Sequence, residues 1–126
     1  MIVSGLTPLL GLRLLVVEDE WMVAEHITMM LEDLGCSVAG PVASIEEALA
    51  LVEAEAPDGV LLDANLNGES SAPIATFLHA RAIPFVVVTG YGGLDLPTEV
   101  MNAAPRLAKP FSSVNFETAL VAAFLT

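Results

Sequence analysis

Acidic and other polar side chains follow four of the apolar runs in this sequence. Glu18 and Asp19 follow the first run, Asp63 and Thr89 follow two later ones, and Lys109, the only lysine, follows the last. Carboxylates are ligands that Mg²⁺ prefers, and an aspartate can act as the nucleophile in phosphoryl transfer. A hydroxyl and an ammonium can contact the oxygens of the transferred group. These residue types point to Mg²⁺-dependent phosphoryl chemistry, provided that the fold brings them together.

The apolar runs alternate with stretches of helical periodicity, and this rhythm predicts the elements that carry those side chains. Strands apolar on both faces are typical of a parallel sheet covered by helices. We therefore expect an α/β fold, a flavodoxin-like (βα)5 unit with helices on both faces of a five-stranded parallel sheet in the order 2-1-3-4-5. The carboxyl ends of such strands share one edge, where ligands bind. The predicted strands are 12–17, 37–40, 59–62, 83–88 and 106–108.

Helix ends and turns are signalled by small polar residues and glycines. Ser44 followed by Glu47 forms a capping box, and Gly35 suits the end of the first helix. Asn67-Gly68 predicts a turn. The segment 90–105 is rich in Gly and Pro, so its helix is expected to be short or disordered. The predicted helices are 20–34, 44–56, 71–81, 98–103 and a last one that begins after Ser112 or Ser113 and reaches Phe124.

The charges of the predicted crevice call for a cation. Glu18, Asp19 and Asp63 outnumber the single ammonium of Lys109, and one Mg²⁺ would balance them. We expect Asp19 and Asp63 to be direct ligands and Glu18 to hold a metal-bound water. After phosphorylation of Asp63, Mg²⁺ and Lys109 would balance the added charge, and the hydroxyl of Thr89 could donate to a phosphoryl oxygen.

Each of these residues also has a structural explanation. Asp63 could be a turn former before Asn67-Gly68, as could Asn65. The acidic pair 18–19 could favour the dipole of a helix N-terminus. Thr89 could simply end a strand, and Lys109 could be a surface lysine. All of these explanations would have to coincide at one sheet edge, so the functional interpretation is favoured.

Composition narrows the classes of partner. The chain has 126 residues and a formal net charge of -12, with only four basic residues. Such a chain offers no basic surface to nucleic acid or to an anionic membrane. We expect one domain over 1–126, with a leader at 1–11 and no output domain. The single cysteine, Cys36, rules out an intrachain disulfide and is expected in the core, which is compatible with a cytoplasmic protein.

Several other residues could suggest a binding site. His26 and His79 have no partner at metal-ligand spacing and are expected to be exposed or satisfied. The side chains 21, 22, 29 and 30, a tryptophan and three methionines, are expected to pack rather than to bind a cofactor.

Four stretches of the chain together resemble the receiver domains of two-component response regulators: 14–20 (LLVVEDE), 61–65 (LLDAN), 88–89 (VT) and 109–111 (KPF). The resemblance runs from about residue 12 to residue 124. It implies that Asp63 is the phosphoacceptor and that Mg²⁺ is held by Asp19, Asp63 and the backbone carbonyl of Asn65, with Glu18 assisting. It also implies that Thr89 and Lys109 contact the phosphoryl group.

A finer resemblance is to the receivers nicknamed FAT GUY. It rests on the segment 84–91 (PFVVVTGY) and on 62–70 (LDANLNGES). Such receivers often stand alone and are partnered with sensor histidine kinases of the HWE or a related type. This chain has Arg106 where most receivers carry an aromatic switch residue. We therefore expect Thr89, Tyr91 and the segment 90–105 to form the switch, with phosphorylation ordering that segment.

The leading hypothesis for function is a single-domain response regulator phosphorylated on Asp63 by a histidine kinase or a phosphotransfer protein. It would signal by protein contacts, or act as a phosphate sink or shuttle, as a monomer or weak dimer. It would assist its own phosphorylation and dephosphorylation without being an enzyme of metabolism. One alternative is a non-phosphorylated interaction module. The other is a Mg²⁺-dependent phosphatase with Asp63 as nucleophile, but Asn65 then stands where an acid/base aspartate is needed.

Overall fold

A computed structural model describes residues 9–90 and 96–125 as alternating strands and helices. The elements are β1 (Arg13–Val17), α1 (Trp21–Asp33), β2 (Ser37–Val42), α2 (Ile45–Glu55), β3 (Gly59–Asp63), β4 (Asn65–Leu66), β5 (Glu69–Ser70), α3 (Ala72–Ala80), β6 (Phe85–Thr89), α4 (Glu99–Ala103), β7 (Arg106–Ala108) and α5 (Ser113–Phe124). The strands form one parallel sheet in the order β2-β1-β3-β6-β7 and a separate antiparallel pair, β4 and β5. Without that pair, the order is the expected 2-1-3-4-5, so the flavodoxin-like prediction is confirmed.

The sheet is buried on both faces, because every residue of β3 and β6 is buried. Successive side chains of a strand point to opposite faces, so the strands supply two separate cores. One core contains buried residues of α2, α3 and α4, such as Val52, Ile74 and Met101. The other contains buried residues of α1 and α5, such as Ile27 and Phe116. The sheet is therefore packed between two cores, which fix the positions of the residues at its edges.

The predicted capping signals do what they were expected to do. The Ser44 hydroxyl accepts a hydrogen bond from the backbone N–H of Glu47 at 3.2 Å. Gly35 follows α1 with a φ of +87°, a conformation that glycine adopts without steric cost. Ser112, rather than Ser113, caps α5, since its hydroxyl accepts from the N–H of Asn115 at 3.0 Å. The fourth helix is short, as predicted.

Some predicted boundaries were wrong by a few residues. The fourth strand of the main sheet begins at Phe85 instead of at residue 83. The reason is that the N–H of Ile83 donates to the carbonyl of Leu78 and closes the end of α3, and Pro84 has no N–H to give to a neighbouring strand. The second strand extends two residues further than predicted, to Val42.

The prediction that the tryptophan and the methionines of α1 pack inside was wrong for three of the four. Trp21, Met22 and Met29 are 71%, 74% and 57% exposed, whereas Met30 packs against the core. The buried stripe of α1 is Ala24, Ile27 and Leu31, at helical spacing. Met22 and Met29 therefore project away from the sheet.

The two histidines and the cysteine are placed as predicted. His26 is exposed, and its ring stacks on that of Phe111 with a centroid distance of 5.9 Å. His79 is exposed, and Cys36 is buried in the core. Of the predicted leader, Leu9 is fully buried, and residues 1–8 lie outside the described part. No helix among the described residues has the length and apolar character needed to cross a membrane.

Candidate functional site

The carboxyl ends of four parallel strands bring the predicted residues to one edge of the sheet. Strand β3 ends at Asp63, which is in register with Val88 of β6. The N–H of Lys109, just after β7, donates to the carbonyl of Thr89 at 2.8 Å. Here the structure forms a cleft of about 380 Å³ lined by Asp19, Glu20, Asp63, Asn65, Gly90 and Lys109.

Lys109 is surrounded by carboxylates. Its Nζ atom lies 2.7 Å from Glu20, 3.1 Å from Glu18 and 3.3 Å from Asp63. Burial lowers the pKa of Lys109, but the hydrogen bond to Glu20 and the charges of Asp63 and Glu18 outweigh burial, so the net pKa is raised. The ammonium therefore stays charged and can neutralise anionic oxygens.

Asp63 lies at the bottom of the cleft and is only 5% exposed. Burial and the neighbouring Glu18 carboxylate raise its pKa to about 8, against the opposing effects of the Asn65 N–H and of Lys109. An ionised Asp63 therefore needs more positive charge than Lys109 supplies.

Glu18 is the carboxylate with an unfilled hydrogen-bonding position. Its Oε2 atom accepts from Lys109 and from the N–H of Glu20, but its Oε1 atom is buried without a partner among the described residues. Such an orphan oxygen is costly unless a ligand or an ordered water pairs with it. A water bound to a metal ion would satisfy it, as the sequence predicted.

The acidic cluster fits a divalent cation. One carboxylate oxygen from each of Glu18, Glu20 and Asp63 lies within 4.8 Å of the other two. Mg²⁺ takes oxygen ligands and retains several waters, which matches a group of carboxylates beside a cleft that has room for water. The donor set is therefore compatible with Mg²⁺.

Asp19 is oriented by the antiparallel pair that the sequence did not predict. In this β4–β5 hairpin, Asn67 and Gly68 both have positive φ values, +54° and +87°. That is the conformation of a type I′ turn. The N–H of Asn67 donates to the Oδ2 atom of Asp19 at 2.9 Å. Burial raises the pKa of Asp19, but the hydrogen bond from the N–H of Asn67 and smaller effects, which include the charge of Lys109, outweigh burial, so the net pKa is lowered.

Asn65 stands between the phosphoacceptor candidate and this hairpin. Its N–H donates to the Oδ1 atom of Asp63 at 3.2 Å, and its side-chain oxygen accepts from the N–H of Gly68 at 2.9 Å. The residue lines the cleft. The role of its carbonyl as a metal ligand stays a prediction.

Of the two predicted switch residues, Thr89 is described and Tyr91 is not. Thr89 is the last residue of β6, is only 1% exposed, and pairs in register with Ala108. Tyr91 lies outside the described residues, with the remainder of 91–95, so its part in the switch stays a prediction.

Sequence reasoning missed one residue of the site, Glu20. It was expected only to begin the first helix, and it does precede α1 as its N-cap residue. Its side chain nevertheless makes the shortest of the three contacts with Lys109. The available signal was a third acid directly after the acidic pair 18–19, in a segment leaving the same strand.

A second hydrogen-bond network joins Leu96 to α4 and was also not predicted. The side chain of Asn102 accepts from the N–H of Leu96 and donates to its carbonyl, both at 2.9 Å. It also donates to the carbonyl of Thr98, and Arg106 donates to its oxygen. Arg106 thus contacts the asparagine that links Leu96 to α4.

Comparison with known proteins agrees with this geometry. Residues 14–121 match the family model of the response regulator receiver domain. The transcriptional regulatory protein PdtaR of Mycobacterium tuberculosis is 30% identical over 103 residues, which are 79% of this chain and 50% of PdtaR. The chain thus spans about half the length of this curated relative.

Solved structures show the same fold. The response regulator PhyR from Brucella abortus superposes with a TM-score of 0.83 at 30% identity, over 97% of this chain and 51% of PhyR. SdrG from Sphingomonas melonis Fr1 superposes with a TM-score of 0.79 at 37% identity, over 94% of this chain and 98% of SdrG. With strand order, cleft and family model in agreement, the chain belongs to the response regulator receiver domain family.

Proposed function

We propose that this protein is a phosphorylation-dependent signalling receiver in which Asp63 accepts a phosphoryl group from a histidine kinase or a phosphotransfer protein. The observation that carries the proposal is the position of the Asp63 side chain. Its carboxylate lies at the base of an acidic cleft, 3.3 Å from the ammonium of Lys109. A carboxylate nucleophile beside a cation supports transfer of an anionic group.

In the proposed step, an oxygen of ionised Asp63 attacks the phosphorus of a phosphohistidine. The new O–P bond forms as the P–N bond breaks, and the released imidazole takes up a proton. Lys109 balances charge on the phosphoryl oxygens, and the hydroxyl of Thr89 donates to one of them. Positioning and neutralisation of charge supply most of the acceleration in such transfers.

Asp19, Asp63 and the carbonyl of Asn65 would hold Mg²⁺, with Glu18 binding a metal-coordinated water. When bound, Mg²⁺ supplies positive charge that favours ionised Asp63 and neutralises phosphoryl oxygens. The unpaired Oε1 of Glu18 and the raised pKa of Asp63 support this assignment. A cation would bring a water to pair with Oε1 and would stabilise the ionised form of Asp63.

We further propose that the chain is a receiver of the FAT GUY type, with a kinase of the HWE or a related type as its partner in the cytoplasm. The short α4 and Arg106 in place of an aromatic residue support a switch built on the segment after Thr89. Phosphorylation would then alter the order of the segment 90–105 and so the surface offered to the next protein.

A phosphatase is a weaker candidate. Asn65 cannot protonate a leaving group, and its side-chain oxygen already accepts from the N–H of Gly68. We therefore propose that the protein assists its own phosphorylation and dephosphorylation and does not turn over a metabolic substrate.

The deciding experiment is to incubate the protein with Mg²⁺ and either acetyl phosphate or a phosphorylated histidine kinase of the HWE type, and to record the intact mass. We expect one phosphoryl adduct that is lost in EDTA and in the Asp63→Asn variant. Asp58→Asn is the matched control, because Asp58 is an exposed aspartate at the opposite end of β3, and it should be phosphorylated normally. Absence of an adduct from both donors would overturn the proposal in favour of an interaction module.

A further inference from the structure

The ammonium of Lys109 is shared unequally between carboxylates. Its distance to Glu20 is 2.7 Å, while the distance to the proposed phosphoacceptor Asp63 is 3.3 Å. The Glu20–Lys109 pair also stands between two cavities. One is the acidic cleft, and the other is a cavity of about 320 Å³ lined by Glu20, Val23, His26, Lys109, Pro110 and Phe111. Lys109 therefore has space on both sides.

The two glutamates that contact Lys109 differ in their freedom. The side chain of Glu18 is 1% exposed, and one of its oxygens accepts from the N–H of Glu20 as well as from Lys109. The side chain of Glu20 is 61% exposed. Burial holds Glu18 in place, whereas Glu20 can leave Lys109 at the small cost of breaking a solvated ion pair.

Glu20 also adds a fourth negative charge to the cleft. With Glu20, four carboxylates share the cleft with the one ammonium, because Asp19 belongs to the same group. A divalent ion leaves this set negative. An incoming phosphoryl group must then compete with Glu20 for Lys109 and approach an unneutralised carboxylate.

We propose that Glu20 is a positioning residue that latches Lys109 in the unphosphorylated protein and slows phosphoryl transfer to Asp63. This inference rests on the proposed function and adds a regulatory residue to the same site. Release of the latch would accompany phosphorylation, because the phosphoryl oxygens offer Lys109 more negative charge than one carboxylate does.

The test compares Glu20→Gln with Glu25→Gln. Both variants remove one negative charge from α1 or its N-cap, but Glu25 is exposed and does not line the cleft. Rate constants for phosphorylation would be measured by intact mass at about 0.15 M salt, where charges further apart than about 8 Å are screened. We expect Glu20→Gln to be phosphorylated about two- to fivefold faster, as loss of a partly exposed ion pair implies, and Glu25→Gln to match the wild type.

A second readout reports the latch itself. Lys109 is the only lysine, so protein labelled in its lysine side chain gives one lysine signal in an NMR spectrum. That signal should shift in Glu20→Gln and stay in place in Glu25→Gln. An unshifted signal, an unchanged rate for Glu20→Gln, or equal acceleration in both variants would overturn the latch. If the wild type accepts no phosphoryl group from either donor, the proposed function fails, whatever the lysine signal does.

Discussion

The Oδ2 atom of Asp63 lies only 3.3 Å from the ammonium of Lys109, and yet burial and Glu18 raise the pKa of Asp63 to about 8. In the unfolded chain the pKa of Asp63 is near 3.8. Between about pH 4 and pH 8 the unfolded state has therefore lost the carboxyl proton of Asp63, whereas the folded state keeps it. The contribution of Asp63 to the free energy of unfolding in EDTA should therefore be highest below about pH 4 and should decline as the pH rises to about 8.

The Asp63→Asn variant removes this dependence. In EDTA at pH 8 it should unfold at a temperature higher than the wild type by about 4 °C, which corresponds to about 1 kcal/mol for a domain of this size. At pH 4.5 the gain should be much smaller. Thermal melts monitored by circular dichroism at the two pH values measure it, and an equal gain at both would show that Asp63 does not titrate as described.

Mg²⁺ should stabilise the wild type, because the cation binds only the folded cleft. At ten times its dissociation constant the expected gain is about 1.4 kcal/mol. The gain should largely disappear in Asp19→Asn, which keeps the shape of the side chain but removes its charge. A melting temperature that did not change across a Mg²⁺ titration would exclude the metal site.

Lys109→Ala should destabilise the protein by about 2 kcal/mol at pH 7, since it leaves Glu18 and Asp63 buried without their cation. The comparison is Glu53→Gln, which breaks the exposed ion pair with Arg81 and should cost less than about 1 kcal/mol. Urea unfolding of both variants provides the values. Similar costs would mean that burial of the cleft carboxylates has little energetic weight.

The same Lys109→Ala variant should be phosphorylated on Asp63 more slowly and should fail to signal even when it is phosphorylated. The nucleophile and the other acids are intact, whereas the phosphoryl group has lost the cation that β7 presents to it. A kinase-coupled assay that scores both adduct and partner binding tests this. Normal partner binding by the phosphorylated variant would remove Lys109 from the switch.

Asn102→Ala should loosen the backbone at Leu96 and Thr98. Three hydrogen bonds to the backbone of Leu96 and Thr98 are lost, and the part-buried backbone groups of Leu96 lose this partner, which implies a cost of about 1 kcal/mol. Amide exchange at Leu96 should accelerate markedly. Asn115→Ala, on the exposed side of α5, should leave that exchange rate unchanged.

Much of this fold could be predicted because local and long-range signals agree. The strands β3 and β6 are buried on both faces, so their sequences are continuously apolar, and polar residues mark where each strand ends. Asp63, Thr89 and Lys109 could be assigned to one edge for that reason alone, given a parallel sheet. The helix caps Ser44 and Ser112 could be predicted because capping depends on residues within one turn of the helix.

The remainder depends on contacts between distant segments. Asn67-Gly68 predicted a turn. The two strands beside it have only two residues each, which is too short to show an alternating apolar pattern, so the hairpin could not be predicted. Glu20 looked like a helix-initiating acid, and only its distance to Lys109 reveals another role. Trp21 is apolar enough to suggest burial, yet it stands at the start of α1, beyond the stripe that packs on the sheet. Such features follow from tertiary placement, which pattern and propensity do not contain.

The hydrogen bond between the hairpin and Asp19 affects which substitutions this site can accept in evolution. The group that holds Asp19 is the backbone N–H of residue 67, and every amino acid except proline carries one. Mutations of the Asn67 side chain can weaken the turn but cannot delete this donor. Gly68, at a φ of +87°, has far less latitude. The hydrogen bond to Asp19 should therefore survive most substitutions at position 67 but few at position 68, so a saturation library should tolerate many residues at 67 and few at 68.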